Sequence, residues 1–121
     1  MYSAQLLDHF QNPRNAGELE QPDAAAEVAN PVCGDVLRLT LKLDSGRVVA
    51  ARFKAKGCVP SMACGSALTE LLVGKTIEQA RAIQRPHVIA AVGELPQAST
   101  HAAQLALETL AAALSQIQHE S

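Results

Sequence analysis

The residues of this chain that could do chemistry are few and grouped. Two of its three cysteines, Cys58 and Cys64, lie in GCVPSMACGS, and the third, Cys33, lies in NPVCGD, followed by Gly34 and Asp35. A thiolate and a carboxylate thus flank a glycine, which lets backbone approach a bound ion closely. Thiolate suits zinc, copper(I) and iron–sulfur centres, whereas carboxylate is a harder, more exchangeable ligand. The stretch therefore reads as part of a mixed sulfur–oxygen metal site, or more plainly as a turn with a buried cysteine. Cys58 precedes Ser61, which reads as a helix cap, and the N–H groups of that helix end favour a thiolate. Two cysteines alone do not close a four-ligand site. Cys64 shares an apolar stripe with Leu68 and Leu71, so it reads as a small core residue. It also stands in the first turn, at the end nearest Cys58, which keeps it a candidate additional ligand. Of the four histidines, His101 opens the last predicted helix, where a ring nitrogen can face a site at a helix end. His87 and His119 read as surface residues and His9 as exposed or packed.

The elements that would position these groups follow from periodicity. Ser3 to Phe10 reads as a short helix capped by Ser3, and Glu27 to Ala29 as a short strand. In DVLRLTLKLDSGRVVAARFKAKGC, Leu37, Leu39, Leu41 and Leu43 alternate with Arg38, Thr40 and Lys42. Past the Asp-Ser-Gly turn, Val49, Ala51, Phe53 and Ala55 alternate with Arg52, Lys54 and Lys56. Both runs have period two, the mark of a hairpin with one apolar and one basic face. A two-residue Ser45-Gly46 turn would set Leu39 opposite Arg52 and mix the faces. A three-residue loop sets Leu39 opposite Phe53 and Leu37 opposite Ala55, and is the expected register. It places Gly34 opposite Cys58, bringing Cys33 and Cys58 together at the open end of the hairpin. The basic face reads most simply as solvated. Ser61 is expected to cap a helix from Met62 to Val73, with Thr76 to Ile83 and part of RPHVIAAVGELP following as short helices. Ser99 or Thr100 caps a long final helix to about Gln118, with the stripe Ala102, Ala103, Ala106, Leu110, Ala113, Leu114 and Ile117. The expected fold class is α+β: one domain over 1–121, helices covering one face of a small antiparallel sheet of about three strands.

Composition narrows the function classes. A chain of 121 residues with 48% hydrophobic content can build one core, and 2% aromatics means that core is aliphatic. A net charge of −2 and scarce aromatics argue against a nucleic-acid binder. The start, MYSAQLLDHF, lacks the pattern of a secretory signal, and no apolar run reaches the length of a membrane span. The expected location is the cytoplasm, where thiols stay reduced and cysteines serve metals or reactivity rather than disulfides.

YSAQLLDHFQNPRNAG, NPVCGDVLRLTLKL, ARFKAKGCVPSMACGSALTELLVGKT and LPQASTHAAQLALETL resemble, in order, the motifs of the IscU/NifU-type iron–sulfur cluster scaffold family. The resemblance covers nearly the whole chain and implies a SufE/NifU-like fold. It implies a protein with no substrate turnover of its own. Such a scaffold receives sulfur from a cysteine desulfurase, assembles a cluster, usually [2Fe–2S], and passes it to acceptor proteins. It carries the metal-ligand role onto Cys33, Asp35, Cys58 and His101. The family's third cysteine falls at Ala102, and its Leu-Pro-Pro-x-Lys chaperone segment is here Leu-Pro-Gln-Ala-Ser. An alternative is therefore a degenerate relative that binds zinc or iron, or regulates a desulfurase, without building clusters. A thiol redox pair of Cys58 and Cys64 is a weaker third reading. Zinc is the expected metal after aerobic purification, and a homo-oligomeric state is left open.

Overall fold

The computed structural model describes residues 2–31 and 34–117. Cys33 and His119 therefore lie outside the described residues, as does the predicted helix end at Gln118. In chain order the elements are α1 (Ala4–Gln11), β1 (Ala24–Ala29), β2 (Val36–Asp44), β3 (Arg47–Lys56), α2 (Val59–Leu72), α3 (Ile77–Arg81), α4 (Arg85–Ala91), a 3-10 turn (Gln97–Ser99) and α5 (Thr100–Leu114).

The strands form an antiparallel meander in the order β1-β2-β3. Leu37, Leu39 and Leu41 of β2 and Ala51 and Phe53 of β3 are buried, as the alternation requires. The register is the expected one, Leu39 opposite Phe53 and Leu37 opposite Ala55, but its cause differs. The loop is a two-residue turn, Asp44 pairing with Arg47, with positive φ at Ser45 and Gly46 as a primed hairpin turn demands. Lys42 then pairs with Ala50 and Leu43 with Val48, so Val49 is an extra, bulged residue. The bulge flips the alternation. Val48 points inward and is fully buried, while Val49, expected on the apolar face, is exposed. β1 is also longer than Glu27 to Ala29, because Ala24 and Ala26 pair with Leu41 and Leu39 and are themselves buried.

The basic face is crossed rather than merely solvated. Asn15 and Gly17 exchange backbone hydrogen bonds with Phe53, and the chain then runs over the sheet to enter β1. On the way Leu19 N–H donates to the buried Thr40 hydroxyl, Glu18 pairs with Arg38 at 3.0 Å, and Lys42 donates to the Gln21 carbonyl. The acidic residues of the crossing segment match the basic strand positions, though exposed pairs of this kind each add little.

On the apolar face α5 packs against β1 and β2, and α2 against β3. α2 is the central strut. It touches the sheet, α1, α4 and α5, and is buried over most of its circumference. Gly65 lets it lie against the sheet, since a Cβ there would sit 2.6 Å from the Phe53 ring. Its buried polar side chains are all partnered. Ser66 meets His9 and the Arg14 N–H, Thr69 meets the Arg14 carbonyl, and Ser61 meets Asp35. No helix of the described residues is long and apolar enough to cross a membrane.

Candidate metal centre

Three elements end at one place. β2 begins just after Asp35, β3 leads through Gly57 to Cys58, and α5 begins just before His101. Cys58 occupies the N-cap position of α2, which starts at Val59 with Pro60 in its first turn. Ser61 is thus not the cap. It lies inside the helix, 1% exposed, and its hydroxyl is turned to Asp35.

Asp35, Cys58 and His101 form a convergent triad whose ligand atoms all lie within 4.8 Å of one another. Cys58 Sγ stands 2.9 Å from Asp35 Oδ2 and 3.8 Å from His101 Nε2, and His101 Nε2 stands 3.6 Å from Asp35 Oδ2. Asp35 is buried, and both its oxygens are engaged. Oδ1 accepts from the Cys58 N–H at 3.2 Å, and Oδ2 accepts from the Ser61 hydroxyl at 2.6 Å and from the Cys58 thiol. Gly57 makes room for this carboxylate. Its φ is +140°, and a Cβ there would sit 2.1 Å from Asp35 Oδ1.

The donor set fits a single tetrahedral ion. Bonds of about 2.3 Å to sulfur and about 2.0–2.2 Å to nitrogen and oxygen set the ligand atoms about 3.3–3.6 Å apart. The two separations involving His101 are close to that. The third, sulfur to carboxylate, is shorter because the thiol donates a hydrogen bond across it, and a tetrahedral ion would need it wider. His101 Nδ1 lies 3.2 Å from the Ala98 carbonyl, so Nδ1–H donates there, and in the neutral ring this leaves Nε2 as the acceptor atom facing Cys58 and Asp35. This is the arrangement usual for metal-ligating histidines.

The electrostatics correct one expectation. The helix end does not make Cys58 a ready thiolate. Burial first, then the hydrogen bond to Asp35, push its pKa up, and the Ser61 hydroxyl offsets this only in part. Without a metal, Cys58 is a thiol held by Asp35. Cys64 does not join the triad. It is fully buried on the core side of α2, and burial pushes its thiol up to about 12. A Cys58–Cys64 redox couple is therefore disfavoured, since an attacking thiol must be a thiolate. Ala102, beside His101, is 1% exposed. His87 is on the surface and helps cap α4, whereas His9 is buried against Ser66 and is not part of the triad. The residue that sequence reasoning missed is Ser61. A serine just before an apolar helical run looks like a cap, and only the packing of Asp35 shows otherwise.

The comparisons with known proteins agree with this architecture. Residues 1–121 match the model of the NifU-like N terminal domain family. The chain belongs to that family. It is 42% identical over 114 residues to iron-sulfur cluster assembly scaffold protein IscU 1 of Archaeoglobus fulgidus, covering 94% of this chain and 74% of that one. It is 37% identical over 117 residues to the scaffold protein IscU of Escherichia coli K12, covering 93% and 91%. It is also 45% identical over 112 residues to the nitrogen fixation protein NifU of Cereibacter sphaeroides, covering 93% of this chain and 46% of that longer one. In fold it resembles the N-terminal NifU-like protein of Brucella abortus, with a TM-score of 0.76 at 22% identity over 98% of this chain and 95% of the other.

Proposed function

We propose that this NifU-like domain is an iron–sulfur cluster assembly scaffold or carrier that binds iron or a [2Fe–2S] cluster and hands it to acceptor proteins. The observation that carries the reading is the convergence of thiol, carboxylate and imidazole where β2, β3 and α5 meet. The shared scaffold role of its curated relatives supports it. Cys33 is the proposed fourth ligand. Its neighbour Asp35 is already in the triad, and a [2Fe–2S] cluster held only by protein needs two ligands for each iron.

The geometry suits cargo that must later leave. Binding releases to solvent the Cys58 proton that now bridges Sγ and Asp35 Oδ2 at 2.9 Å, which leaves both atoms free to ligate. The carboxylate then serves as the weakest member of a soft ligand set, exchangeable where thiolates are not. His101 presents its ring at the solvent side, its side chain about a third exposed, so an acceptor can reach that ligand first. A cytoplasmic cysteine desulfurase is the proposed sulfur donor. Zinc fits the same donors and is proposed as the occupant after aerobic purification.

One observation favours a second reading. Ala102 stands where the resemblance implies a third cysteine, and it offers no sulfur to accept a persulfide. A chain with this departure could hold metal without building clusters. Anaerobic reconstitution with iron, sulfide and a cysteine desulfurase separates the two. A scaffold gains a sulfur-to-iron charge-transfer spectrum with stoichiometric sulfide, and Cys58→Ala loses it. Metal retained without sulfide and without that spectrum overturns the scaffold reading in favour of the second.

A further inference from the structure

We infer that Ser61 is a positioning residue for the metal centre, holding Asp35 Oδ2 so that the carboxylate can offer a metal only one oxygen. The inference rests on the metal-binding reading above and goes beyond it. Ser61 is buried, and its hydroxyl donates to Asp35 Oδ2 at 2.6 Å, the shortest separation recorded for a side-chain pair at the site. The Cys58 N–H holds Oδ1. With both oxygens anchored, the carboxylate cannot turn to chelate an ion with its two oxygens. Oδ2 also accepts the Cys58 thiol proton, on the side facing Sγ. An ion that displaces this proton meets sulfur and oxygen already aimed at it.

The same hydroxyl also lies 3.3 Å from Cys58 Sγ. Ser61 thus touches the carboxylate and sulfur donors from one point on α2, one turn in from the N-cap. Ligating carboxylates are commonly oriented in this way by an outer hydrogen bond, and losing the partner costs about ten- to a hundredfold in metal affinity. Monodentate binding also favours tetrahedral zinc or iron over calcium, which takes six to eight oxygens and often uses both from one carboxylate.

The test titrates Co²⁺ anaerobically into the metal-free full chain, as wild type, Ser61→Ala and Ser61→Thr. Expected for Ser61→Ala is affinity about ten- to a hundredfold weaker, with the sulfur-to-cobalt charge-transfer band kept and the d–d bands shifted. Ser61→Thr keeps the hydroxyl and is expected to recover affinity to within about threefold of wild type. Ser61→Ala binding within about threefold of wild type, with unchanged d–d bands, overturns the inference while leaving the metal site intact. So does a Ser61→Thr protein that melts like wild type yet binds as weakly as Ser61→Ala. Wild-type protein that binds no Co²⁺ defeats the metal-binding reading itself and this inference with it.

Discussion

Two histidines pack near α2, each with a ring nitrogen facing a carboxylate, and they end in opposite states. At His9, Nδ1 is 2.8 Å from Ser66 Oγ and Nε2 is 3.6 Å from Glu70, while Ser66 also accepts the Arg14 N–H. Each polar atom faces a different partner, and both His9 and Ser66 are buried. At His101, Nδ1 is held by a backbone carbonyl, and Nε2, Cys58 Sγ and Asp35 Oδ2 all face one point beside solvent. The ingredients are nearly the same. Divergent polar atoms make a clamp that fixes α1 to α2, whereas convergent ones have the arrangement a cation would need. Composition does not separate these cases; direction and access do.

Gly57→Ala should break the convergent cluster most severely. The residue sits at φ +140°, and the added Cβ would overlap Asp35 Oδ1 at 2.1 Å. Backbone strain alone costs about 1–3 kcal/mol, and Asp35 has to leave Ser61 and the Cys58 N–H to relieve the overlap. Because two of the three donors are displaced together, loss of Zn²⁺ affinity by roughly a hundredfold or more is expected by calorimetry, the upper end for disturbed metal surroundings. The His9 cluster should be untouched. Retained affinity would mean that Asp35 does not hold the ion.

His9→Gln should act on the other side of the comparison, on stability and not on metal. Burial first, then the charge of Arg14, hold the His9 pKa below its usual 6.5, with Glu70 and Asp8 opposing. A histidine depressed in the folded state binds fewer protons there than when unfolded, so stability rises with pH across the gap. Its contribution is full above pH 6.5 and is lost as pH falls through the folded-state value. Wild-type urea midpoints should therefore fall between pH 7 and pH 5, and the His9→Gln midpoints should fall less. At neutral pH the variant should lose roughly 1–3 kcal/mol, the cost of disturbing a buried hydrogen-bonded pair. Its Zn²⁺ affinity should match wild type. An equal acid slope in both proteins would show that His9 is not the titrating clamp.

How far each cluster could be read from sequence follows the same division. The hairpin was legible because Leu37, Leu39 and Leu41 alternate over many residues, and a one-residue slip would have exposed them all. The bulge was not, since Val48 and Val49 are chemically alike and only sheet pairing decides which turns inward. Asp35, Cys58 and His101 could be nominated from residue type and family pattern. Their convergence depends on three chain segments far apart in sequence. The His9 clamp and Ser61 left no local signal, because histidine on a helix and serine before one are both ordinary on a surface.

Cys64 makes the finest test, because it is the third thiol and sits between the two clusters on α2. It lies six positions from Cys58, about 240° around a helix at 100° per residue, so the two side chains leave on different faces. The structure buries it fully, and burial keeps its thiol protonated, near 12. To ligate, Cys64 would have to unwind the first turns of α2, which also carry Ser61 and the N-cap at Cys58. That would dismantle the arrangement that positions Asp35. Cys64→Ala should therefore leave Zn²⁺ affinity within about twofold while lowering stability by about 1 kcal/mol, the scale of a small core deletion. In the native protein a thiol reagent should modify Cys58 well before Cys64, as exposure and thiolate character dictate. Loss of Zn²⁺ binding in Cys64→Ala, with stability unchanged, would make Cys64 a ligand and erase the boundary drawn here between the core and the metal centre.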